Sequence, residues 1–175
     1  MFTYKLVNST NVGLAKELFA KCFPDDKLTE DENGVTCFDM SIGQKDFHYW
    51  ISYDSDVDRP MGFPVGISGL YVEDADPESS WLGWFGVLPE FRRQRYGTRI
   101  INHYEDEARL AGFKYARLYT TGDNAVARAF YKYAGYEEEM YHGDVPDYIG
   151  GDVVVYSKSI CGNPVPPWND RPLLF

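Results

Sequence analysis

Residues 84–98, WFGVLPEFRRQRYGT, restrict the fold more than any other part of the chain, because they predict a strand, a turn and a helix start in succession. The apolar run ends at Val87, and Pro89 cannot extend a β-ladder since it has no amide proton. An amphipathic helix is predicted from about residue 96 to residue 111. The turn and the first helical residues are Arg92, Arg93, Gln94, Arg95, Tyr96, Gly97 and Thr98.

The start of that helix has the properties of an anion-binding site. Its first backbone N–H groups have no acceptor within the helix, and the helix dipole adds partial positive charge. With three arginines before it, this helix start suits a multiply charged anion such as a pyrophosphate. Gly97 would let the backbone approach the anion closely. The alternative is a surface loop with solvated arginines, which is less easily accepted in a chain of net charge −10.

A second segment, residues 124–136 (NAVARAFYKYAGY), predicts a helix that ends at Gly135. Asn124 and Tyr131 are seven residues apart, so they project from nearly the same helix face, two turns from each other. That face presents an amide at the helix start and a phenol further along. The alternative is an N-cap asparagine on an aromatic helix that packs on a sheet.

The remaining pattern predicts a mixed α+β fold. Strands are predicted at residues 2–7, 47–53, 64–73, 80–87, 115–121, 137–141 and 152–159. A first helix follows the N-cap candidates at residues 9–11 and ends before Pro24. Residues 25–46 are acidic with weak periodicity, and we expect a short helix followed by a mobile loop there. Consecutive strands interrupt the alternation of strand and helix, so a dinucleotide-binding fold is not expected.

The length of 175 residues (20.1 kDa) suits one domain, which we expect at residues 1–160. An arm with four prolines follows at residues 161–175, and we expect it to lie extended on the surface or on a partner. No apolar run approaches the roughly 18 residues of a membrane span, and no signal peptide is visible. Three cysteines without metal or disulfide spacing predict reduced thiols in the cytoplasm.

The net charge of −10 bears on the partners of the chain. It argues against nonspecific binding to nucleic acid, whose affinity comes mainly from neutralised phosphates. An acidic field concentrates cations, so a cationic partner is expected. The acidic segments 25–32 and 73–78 would help to select it; the alternative is an acidic surface that only keeps the protein soluble.

Together the two segments resemble the GNAT superfamily of acyl-CoA-dependent N-acyltransferases. Residues 92–97 stand where that family has Q/R-x-x-G-x-G/A, and Arg95 takes the place of its first glycine. The family's later helix, N-x-x-A-x-x-F/Y-Y-x-x-x-G-F/Y, is matched at Asn124, Ala127, Phe130, Tyr131, Gly135 and Tyr136. The resemblance covers roughly residues 81–136 and implies a central twisted mixed sheet of about six to seven strands flanked by about four helices. At Arg95 the loop must do without glycine, or gain a phosphate contact from the guanidinium.

The resemblance implies acetyl-CoA as the acyl donor. Its pantetheine would pair with the strand edge at residues 85–87, and its pyrophosphate would bind the amides of residues 93–98. Tyr131 would lie near the thioester sulfur, where a neutral phenol can protonate the departing thiolate. Asn124 would hydrogen-bond the pantetheine, and the amide of Val87 would hold the oxyanion. The implied acetyl-CoA contacts are Phe85, Gly86, Val87, Arg92, Arg93, Gln94, Arg95, Tyr96, Gly97, Thr98, Asn124, Phe130 and Tyr131.

The general base that takes a proton from the amine is open among several residues. In order of preference the candidates are Glu73, Asp74, Glu78, and then His48 or His142. Glu73 is preferred because we expect it at the end of its strand, near the cleft; the alternative for each candidate is a solvated surface group. His103 falls within the helix after the basic loop and is expected to be structural.

These residues predict an N-acetyltransferase in which a primary amine attacks the acetyl group of acetyl-CoA directly, through a tetrahedral intermediate. The acceptor is open among a small metabolite, an aminated antibiotic, a polyamine and a protein N-terminus, and a small, cationic molecule is preferred. No nucleic acid, membrane or metal is expected, and a homodimer is left open. The rival prediction is a non-catalytic acyl-CoA-binding module that regulates a partner through its Pro-rich tail. The intact Tyr131 favours the enzyme, whereas Arg95 and the open identity of the base leave room for the rival.

Overall fold

The computed structural model describes residues 1–56, 58, 60 and 62–173, with the backbone alone at Tyr148. Leu174 and Phe175, the last residues of the expected arm, lie outside the described residues. The chain forms two compact units. Unit 1 contains Met1–Tyr71 and Leu82–Asp106, and unit 2 contains Val72–Trp81 and the chain from Glu107 onward.

The described chain contains strands and α-helices in the mixed α+β class that the sequence predicts. The strands are β1 (Phe2–Leu6), β2 (Phe47–Asp54), β3 (Phe63–Tyr71), β4 (Ser79–Leu82), β5 (Gly86–Val87), β6 (Tyr115–Thr121), β7 (Glu137–Tyr141) and β8 (Val153–Ser159). The α-helices are α1 (Val12–Cys22), α2 (Cys37–Met40), α3 (Tyr96–Leu110) and α4 (Ala125–Tyr133). An eighth strand arises because the predicted strand 80–87 is broken at residues 83–85. None of the described helices is long and apolar enough to cross a membrane.

The acidic segment between α1 and β2 differs from the prediction. We expected a short helix and then a loop, whereas the loop comes first and α2 lies near its end. Thr36 caps α2: its side chain accepts from the amide of Asp39, and the Asp39 carboxylate accepts from the amide of Thr36. This capping box fixes the helix start at residue 37. The order inferred from weak periodicity was therefore wrong.

The sheet of unit 1 is antiparallel, with β2 paired to β1 and β3, and β5 paired to β3 at Gly66 and Ile67. Pro64 cannot donate to a ladder, and it lies opposite Tyr53, where the β2–β3 register shifts. One face of this sheet packs on α1. The core on that face includes Ala15, Leu18, Phe19, Cys22, Phe38, Tyr49, Ile51 and Ile67.

The opposite face of the same sheet carries small residues beneath α3. A Cβ atom at Gly66 would lie 3.0 Å from Cδ1 of Ile100 in α3 and would overlap the carbonyl oxygen of Gly86. Ser52 lies opposite Gly66 in the ladder and is fully buried. The absence of side-chain bulk at Gly66 therefore lets β3, β5 and α3 approach one another at a single point.

The sheet of unit 2 has the order β4-β6-β8-β7. The β4–β6 pair is parallel and the other two pairs are antiparallel, so the sheet is mixed. The parallel ladder ends at Trp81 and Arg117, whereas β6 continues to Thr121 and pairs with β8 along its whole length. Among the described strands of unit 2, the end of β6 thus has a ladder on the β8 side alone.

The side chain of Arg117 is fully buried in unit 2 and joins four segments of it. Its Nε donates to Oδ2 of Asp76 at 3.0 Å and to Oγ of Ser79 at 3.1 Å. Its terminal nitrogens donate to Oγ of Ser157 at 2.5 Å and to the carbonyl oxygen of Pro166 at 2.9 Å. Burial lowers the pKa of the guanidinium, and the Asp76 carboxylate opposes that shift.

The Pro-rich arm is anchored on unit 2 through one aromatic side chain. Most of its described residues are exposed, but Trp168 is fully buried and packs edge-to-face on Trp81, with ring centroids 4.8 Å apart. The amides of Trp168 and Asn169 each donate to the carboxylate of Glu139 at 2.7 Å. The arm therefore contributes to the packing of unit 2 at this point.

Replacing Asp76 by Asn should lower the free energy of unfolding by about 3–5 kcal/mol, because the charge of Arg117 would stay buried without its carboxylate partner. Urea denaturation measures the change. Asp74→Asn is the matched control, since Asp74 is exposed in the same loop and its substitution should cost less than about 0.5 kcal/mol. Equal effects of the two substitutions would contradict the importance of the buried pair.

Candidate active site

The break between β4 and β5 is packed against the end of α1. The ring of Trp84 lies 4.7 Å from that of Phe19 and 5.0 Å from that of Phe23. A Cβ atom at Gly86 would lie 2.7 Å from Cβ of Cys22 and 2.9 Å from the ring of Phe23. Glycine is therefore required at residue 86 because α1 ends directly against β5.

The amide of Val87 points away from β3. The N–H of Leu88 donates to the carbonyl oxygen of Val65 at 2.9 Å, and Val87 lies opposite Gly66 in the ladder. Because N–H groups along an antiparallel strand point to alternate sides, the N–H of Val87 is directed to the side opposite β3. The amide that the sequence predicts as an oxyanion donor is thus not used by this ladder.

Arg92 ties the basic loop to the elements before it. Its Nε donates to the carbonyl oxygen of Val87 at 3.1 Å, and its Nη2 donates to that of Cys22, also at 3.1 Å. Cys22 is the last residue of α1, and the carbonyl groups at the end of a helix have no N–H donor within the helix. The guanidinium that the sequence assigned to acetyl-CoA is engaged here by two backbone carbonyls.

Arg93 and Arg95 have a backbone conformation that few residues other than glycine adopt. Their φ angles are 62° and 66°, whereas Gln94 between them has a negative φ. An alternation in the sign of φ is a feature of anion-binding nests, in which successive N–H groups turn toward one side. Both arginines are exposed, and neither forms a hydrogen bond or an ion pair with the residues that the structure describes.

The start of α3 adds further backbone donors. Its first helical hydrogen bond runs from the N–H of Arg99 to the carbonyl oxygen of Arg95 at 3.2 Å. The N–H groups of residues 96–98 precede that bond and have no acceptor within the helix. The hydroxyl of Tyr96 donates to Oδ2 of Asp54 at 2.7 Å, which lowers the pKa of Asp54 and ties the helix start to the end of β2. Residues 93–98 thus present amides and guanidinium groups together.

The helix α4 carries Asn124 and Tyr131. Asn124 is its N-cap, since Oδ1 accepts from the amide of Ala127 at 3.1 Å; the cap is confirmed, and binding of a ligand by Asn124 stays a prediction. Tyr131 is buried, with its ring 5.4 Å from that of Tyr156 and 5.5 Å from that of the half-buried Phe130. Burial raises the pKa of Tyr131, so the phenol stays protonated at neutral pH.

A carboxylate on β7 holds α4 in place. Glu138 lies 3.1 Å from Nη2 of Arg128 and 3.1 Å from Nζ of Lys132, and both cations belong to α4. It also accepts a hydrogen bond from the hydroxyl of Tyr156. These donors, with Tyr156 the largest influence, lower the pKa of Glu138 to about 2. Because the ring of Tyr156 contacts Tyr131, the same group of side chains supports the candidate general acid.

The three carboxylate candidates for the base differ in their surroundings. Glu73 lies just beyond β3 and is 4% exposed, so it is not the solvated group that the alternative supposed. Asp74 is exposed. Glu78 forms an ion pair with Lys114. Burial therefore separates Glu73 from the other two.

The histidine candidates lie in different units. His48 is half-buried on β2 in unit 1, and burial lowers its pKa. His142 in unit 2 is largely exposed, with Nδ1 3.4 Å from Oδ2 of Asp170. His103 stacks on the ring of Tyr4, and burial lowers its pKa to about 4. A neutral, packed imidazole agrees with the structural role expected for His103.

Sequence reasoning missed the two charged groups that organise unit 2. Arg117 lies in a strand whose flanking residues read as buried on both faces, and a buried guanidinium requires partners; that signal was present. Glu138 is the second of three consecutive glutamates, and alternation along β7 separates it from its neighbours. Nothing in the sequence named its partners, because they come from α4 and β8.

The structure contains the three features that the resemblance implies: a broken strand, a helix start after a basic loop, and a helix that carries Asn124 and Tyr131. The chain belongs to the acetyltransferase (GNAT) family, whose model matches residues 13–136. The match covers more than half of the chain and includes both segments that carried the resemblance. The predicted family is thereby confirmed.

Relatives by sequence and by structure belong to the same class. Aminoalkylphosphonate N-acetyltransferase of Salmonella typhimurium is 30% identical over 83 residues, and the chain spans about half of that protein (54%) and aligns over 46% of itself. The ribosomal-protein-S18-alanine N-acetyltransferase of Escherichia coli is similar in structure, with a TM-score of 0.67 and 18% identity over 91% of this chain and 94% of that one. Spermidine N-acetyltransferase of Vibrio cholerae has a TM-score of 0.68 and 13% identity over the same shares. These structural likenesses show the fold.

Replacing Arg95 by Gly should raise the free energy of unfolding by roughly 0.5–1 kcal/mol. A left-handed residue costs about 1–2 kcal/mol when it is not glycine, and the greater freedom of glycine in the unfolded chain offsets part of that gain. Arg99→Gly, within α3, is the control and should lower stability by about 1 kcal/mol or more. Chemical denaturation of the two variants measures both changes, and a loss of stability in Arg95→Gly would contradict the strain.

Replacing Glu138 by Gln should lower the melting temperature at neutral pH, because α4 loses its anionic partner. The folded pKa of about 2 lies below the ordinary value of 4.5, so this stabilisation is present above pH 4.5 and is lost as the pH falls toward 2. The difference between wild type and variant should therefore shrink over that range in thermal melts. Glu137→Gln, on the exposed neighbour, should change the melting temperature little at neutral pH; a Glu138 effect independent of pH would contradict the ionic clamp.

Proposed function

We propose that this protein transfers the acetyl group of acetyl-CoA to the primary amino group of a small, cationic molecule. The observation that carries the proposal is the basic loop, in which Arg93 and Arg95 adopt left-handed conformations directly before the free amides of α3. GNAT enzymes in general use acetyl-CoA, and membership in that family supports the same donor here.

The basic loop suits the pyrophosphate of acetyl-CoA for two reasons. It combines backbone N–H groups at residues 93–98 with the exposed guanidinium groups of Arg93 and Arg95, and a pyrophosphate accepts hydrogen bonds from both kinds of donor. Arg92 is already bonded to Val87 and Cys22, so the loop is held in place before the substrate arrives. Where the family has a glycine with a flexible backbone, Arg95 would instead contribute a contact between its guanidinium group and the pyrophosphate.

We assign the acyl transfer to the N–H of Val87 and to Tyr131. The N–H of Val87 does not bond β3, so it is suited to donate to the oxyanion that forms on the attacked carbonyl. Tyr131 is neutral and buried, and its hydroxyl can give a proton to the departing thiolate. Asn124 uses Oδ1 as a cap, which leaves its Nδ2 to donate to a pantetheine carbonyl.

We assign the general base to Glu73. The acceptor arrives as an ammonium ion, so the carboxylate of Glu73 would take one proton from it before the nitrogen attacks the acetyl carbon. The C–N bond forms and the C–S bond breaks, while the proton of Tyr131 goes to sulfur. The nitrogen then loses its second proton to the Tyr131 phenolate, which restores the phenol, and Glu73 releases its proton to solvent.

The cationic nature of the acceptor is proposed from the distribution of carboxylates. Several acidic side chains are paired within unit 2, as Asp76 is with Arg117 and Glu78 with Lys114. The carboxylates of Asp25, Asp26, Glu30, Asp31 and Glu32 are exposed instead. The names of similar proteins include spermidine as a substrate, which supports an amine acceptor, and an aminoalkylphosphonate, which carries an anion as well.

The proposal is tested by a thiol-release assay with acetyl-CoA and a panel of amines, with CoA binding measured by calorimetry. Thiol release that depends on an amine supports the enzyme, and CoA binding without release for any amine supports the regulatory module instead. Absence of binding at millimolar CoA overturns the donor assignment. Gly97→Val should abolish binding by crowding the amides, whereas Gly13→Val should preserve it, because a Cβ atom there meets nothing within 4 Å.

Replacing Tyr131 by Phe should lower kcat about 10²-fold and leave the KM for acetyl-CoA largely unchanged, because the ring stays and only the proton donor is lost. Steady-state kinetics measures both constants. Tyr133→Phe is the control on the same helix, since Tyr133 is 81% exposed. An unchanged kcat in Tyr131→Phe would mean that the thiolate leaves without this phenol.

If the exposed carboxylates steer the acceptor, kcat/KM for a diamine or polyamine should fall as salt rises, with little change in kcat, because exposed charges are screened over about 8–10 Å at physiological ionic strength. Asp25→Asn combined with Asp26→Asn should mimic high salt. Asp106→Asn combined with Glu137→Gln removes the same charge elsewhere on the exposed surface and should have a smaller effect. Equal rates for neutral and polycationic amines at low salt would contradict a role of these carboxylates in selecting the acceptor.

The cytoplasm is the proposed location. Cys22, Cys37 and Cys161 are all free thiols, which is the usual state in a reducing compartment. A homodimer stays a prediction; one structure of spermidine N-acetyltransferase from Vibrio cholerae is dodecameric.

A further inference from the structure

The loop between β3 and β4 carries Glu73 and has its own turn structure. The N–H of Asp76 donates to the carbonyl oxygen of Glu73 at 2.9 Å, and the N–H of Ser79 donates to that of Asp76 at 3.1 Å. The backbone of Asp76 therefore forms one hydrogen bond to each side of the loop, with Glu73 and with Ser79. The position of the Glu73 backbone is thus linked to the position of Asp76.

Two arginines from distant parts of the chain hold this turn. Arg117, on β6, donates to the Asp76 carboxylate at 3.0 Å. Arg171, in the arm, donates through Nη1 to the carbonyl oxygen of Ala75 at 3.3 Å, and its Nη2 lies 3.8 Å from Oδ2 of Asp76. The arm thus contacts the turn at the two residues that follow Asp74.

The arm is itself fixed at this place. The guanidinium of Arg171 lies 3.9 Å from the ring centroid of Trp168, whose Nε1 donates to the carbonyl oxygen of Arg171 at 2.6 Å. Between them Asn169 and Asp170 adopt left-handed conformations, with φ of 57° and 54°. Two consecutive non-glycine residues in that region persist only where surrounding contacts determine the backbone. Here Trp168, buried against Trp81, and Glu139, which accepts two arm amides, supply those contacts.

We propose that the arm is a positioning element for Glu73, and that Arg171 is the residue through which it acts. This inference rests on the proposed function, in which Glu73 is the general base. Arg171 touches the turn, and the turn holds the backbone of Glu73; Arg171 itself is a positioning residue. A base displaced by about 1 Å can lose up to 10²-fold in rate, so a peripheral contact of this kind has a measurable effect.

Arg171 separates positioning from folding better than Trp168 does. Its side chain is 37% exposed, whereas Trp168 is fully buried and its removal would leave a cavity. Arg171→Ala should keep the fold and loosen the turn. Arg109→Ala is the matched control: Arg109 is another arginine of unit 2, and its Nε donates to the carbonyl oxygen of Ile160, just before the arm.

The first measurement is hydrogen exchange of the amides of Asp76 and Ser79, which needs no enzymatic activity. In Arg171→Ala these two amides should exchange about 10-fold faster, while the amides of the β6–β8 ladder keep their rates. In Arg109→Ala they should not change. Unchanged exchange at Asp76 and Ser79 in Arg171→Ala overturns the proposal, whether or not the protein acetylates an amine.

The second measurement is steady-state kinetics on an amine that the wild type acetylates. Arg171→Ala should lower kcat about 10-fold and leave the KM for acetyl-CoA unchanged, because Arg171 contacts Ala75, Asp76 and Trp168 and none of the residues assigned to acetyl-CoA. Arg171→Lys should recover part of kcat, since an ammonium group can still pair with Asp76. If the turn loosens and kcat does not fall, the arm does not position the base. If the wild type itself releases no thiol, the proposed function fails, and the exchange data still decide whether the arm holds the turn.

Discussion

The close approach at Gly66 is the constraint on which unit 1 depends. At this residue β3 leaves room both for the carbonyl of Gly86 in β5 and for Ile100 in α3. The antiparallel pairing of β5 directs the N–H of Val87 away from β3. The N–H groups at the start of α3, which have no acceptor within the helix, directly follow the basic loop along the chain. The close approach at Gly66 thus involves both β5, whose edge carries the N–H of Val87, and α3, whose start the proposed function uses.

The backbone of the basic loop is strained at the place where an anion is proposed to bind. A glycine at residue 95 would adopt the same φ without strain, yet the chain has arginine there. Such strain is tolerated when the surroundings determine the conformation, and here Arg92 and Tyr96 anchor the two ends of the loop to Val87, Cys22 and Asp54. A rigid loop loses little entropy on binding, so the strain and the preorganisation belong to one arrangement.

The sequence predicts the elements that have strong local signals. The helix from Asn124 was predicted because the cap, the periodicity and Gly135 all agree, and the family followed from residues in register with a known pattern. Elements set by tertiary contacts were harder to predict: the strand 80–87 is continuous in apolar character, and at its break Trp84 packs on Phe19 and Phe23 at the end of α1. The place of α2 depends on a capping box that weak periodicity did not reveal. For the candidate site, residue types could be predicted, whereas the engagement of Arg92 by carbonyls and the burial of Glu73 required the fold.

Charge in this chain serves two purposes that composition alone does not separate. Asp76 and Glu138 are each surrounded by cationic partners, so their charges stabilise unit 2 locally and contribute little to the field outside it. The net charge of −10 therefore overstates the uniformity of the acidic surface. The exposed carboxylates of residues 25–32 are among those that can act on a ligand at a distance, because nothing buries them. Glu73 differs from both groups: it is buried like Asp76, and it lies near Tyr141, whose pKa is raised mainly by burial and further by carboxylates that include Glu73. In the proposed function this buried carboxylate, rather than the exposed ones, takes the proton of the ammonium substrate.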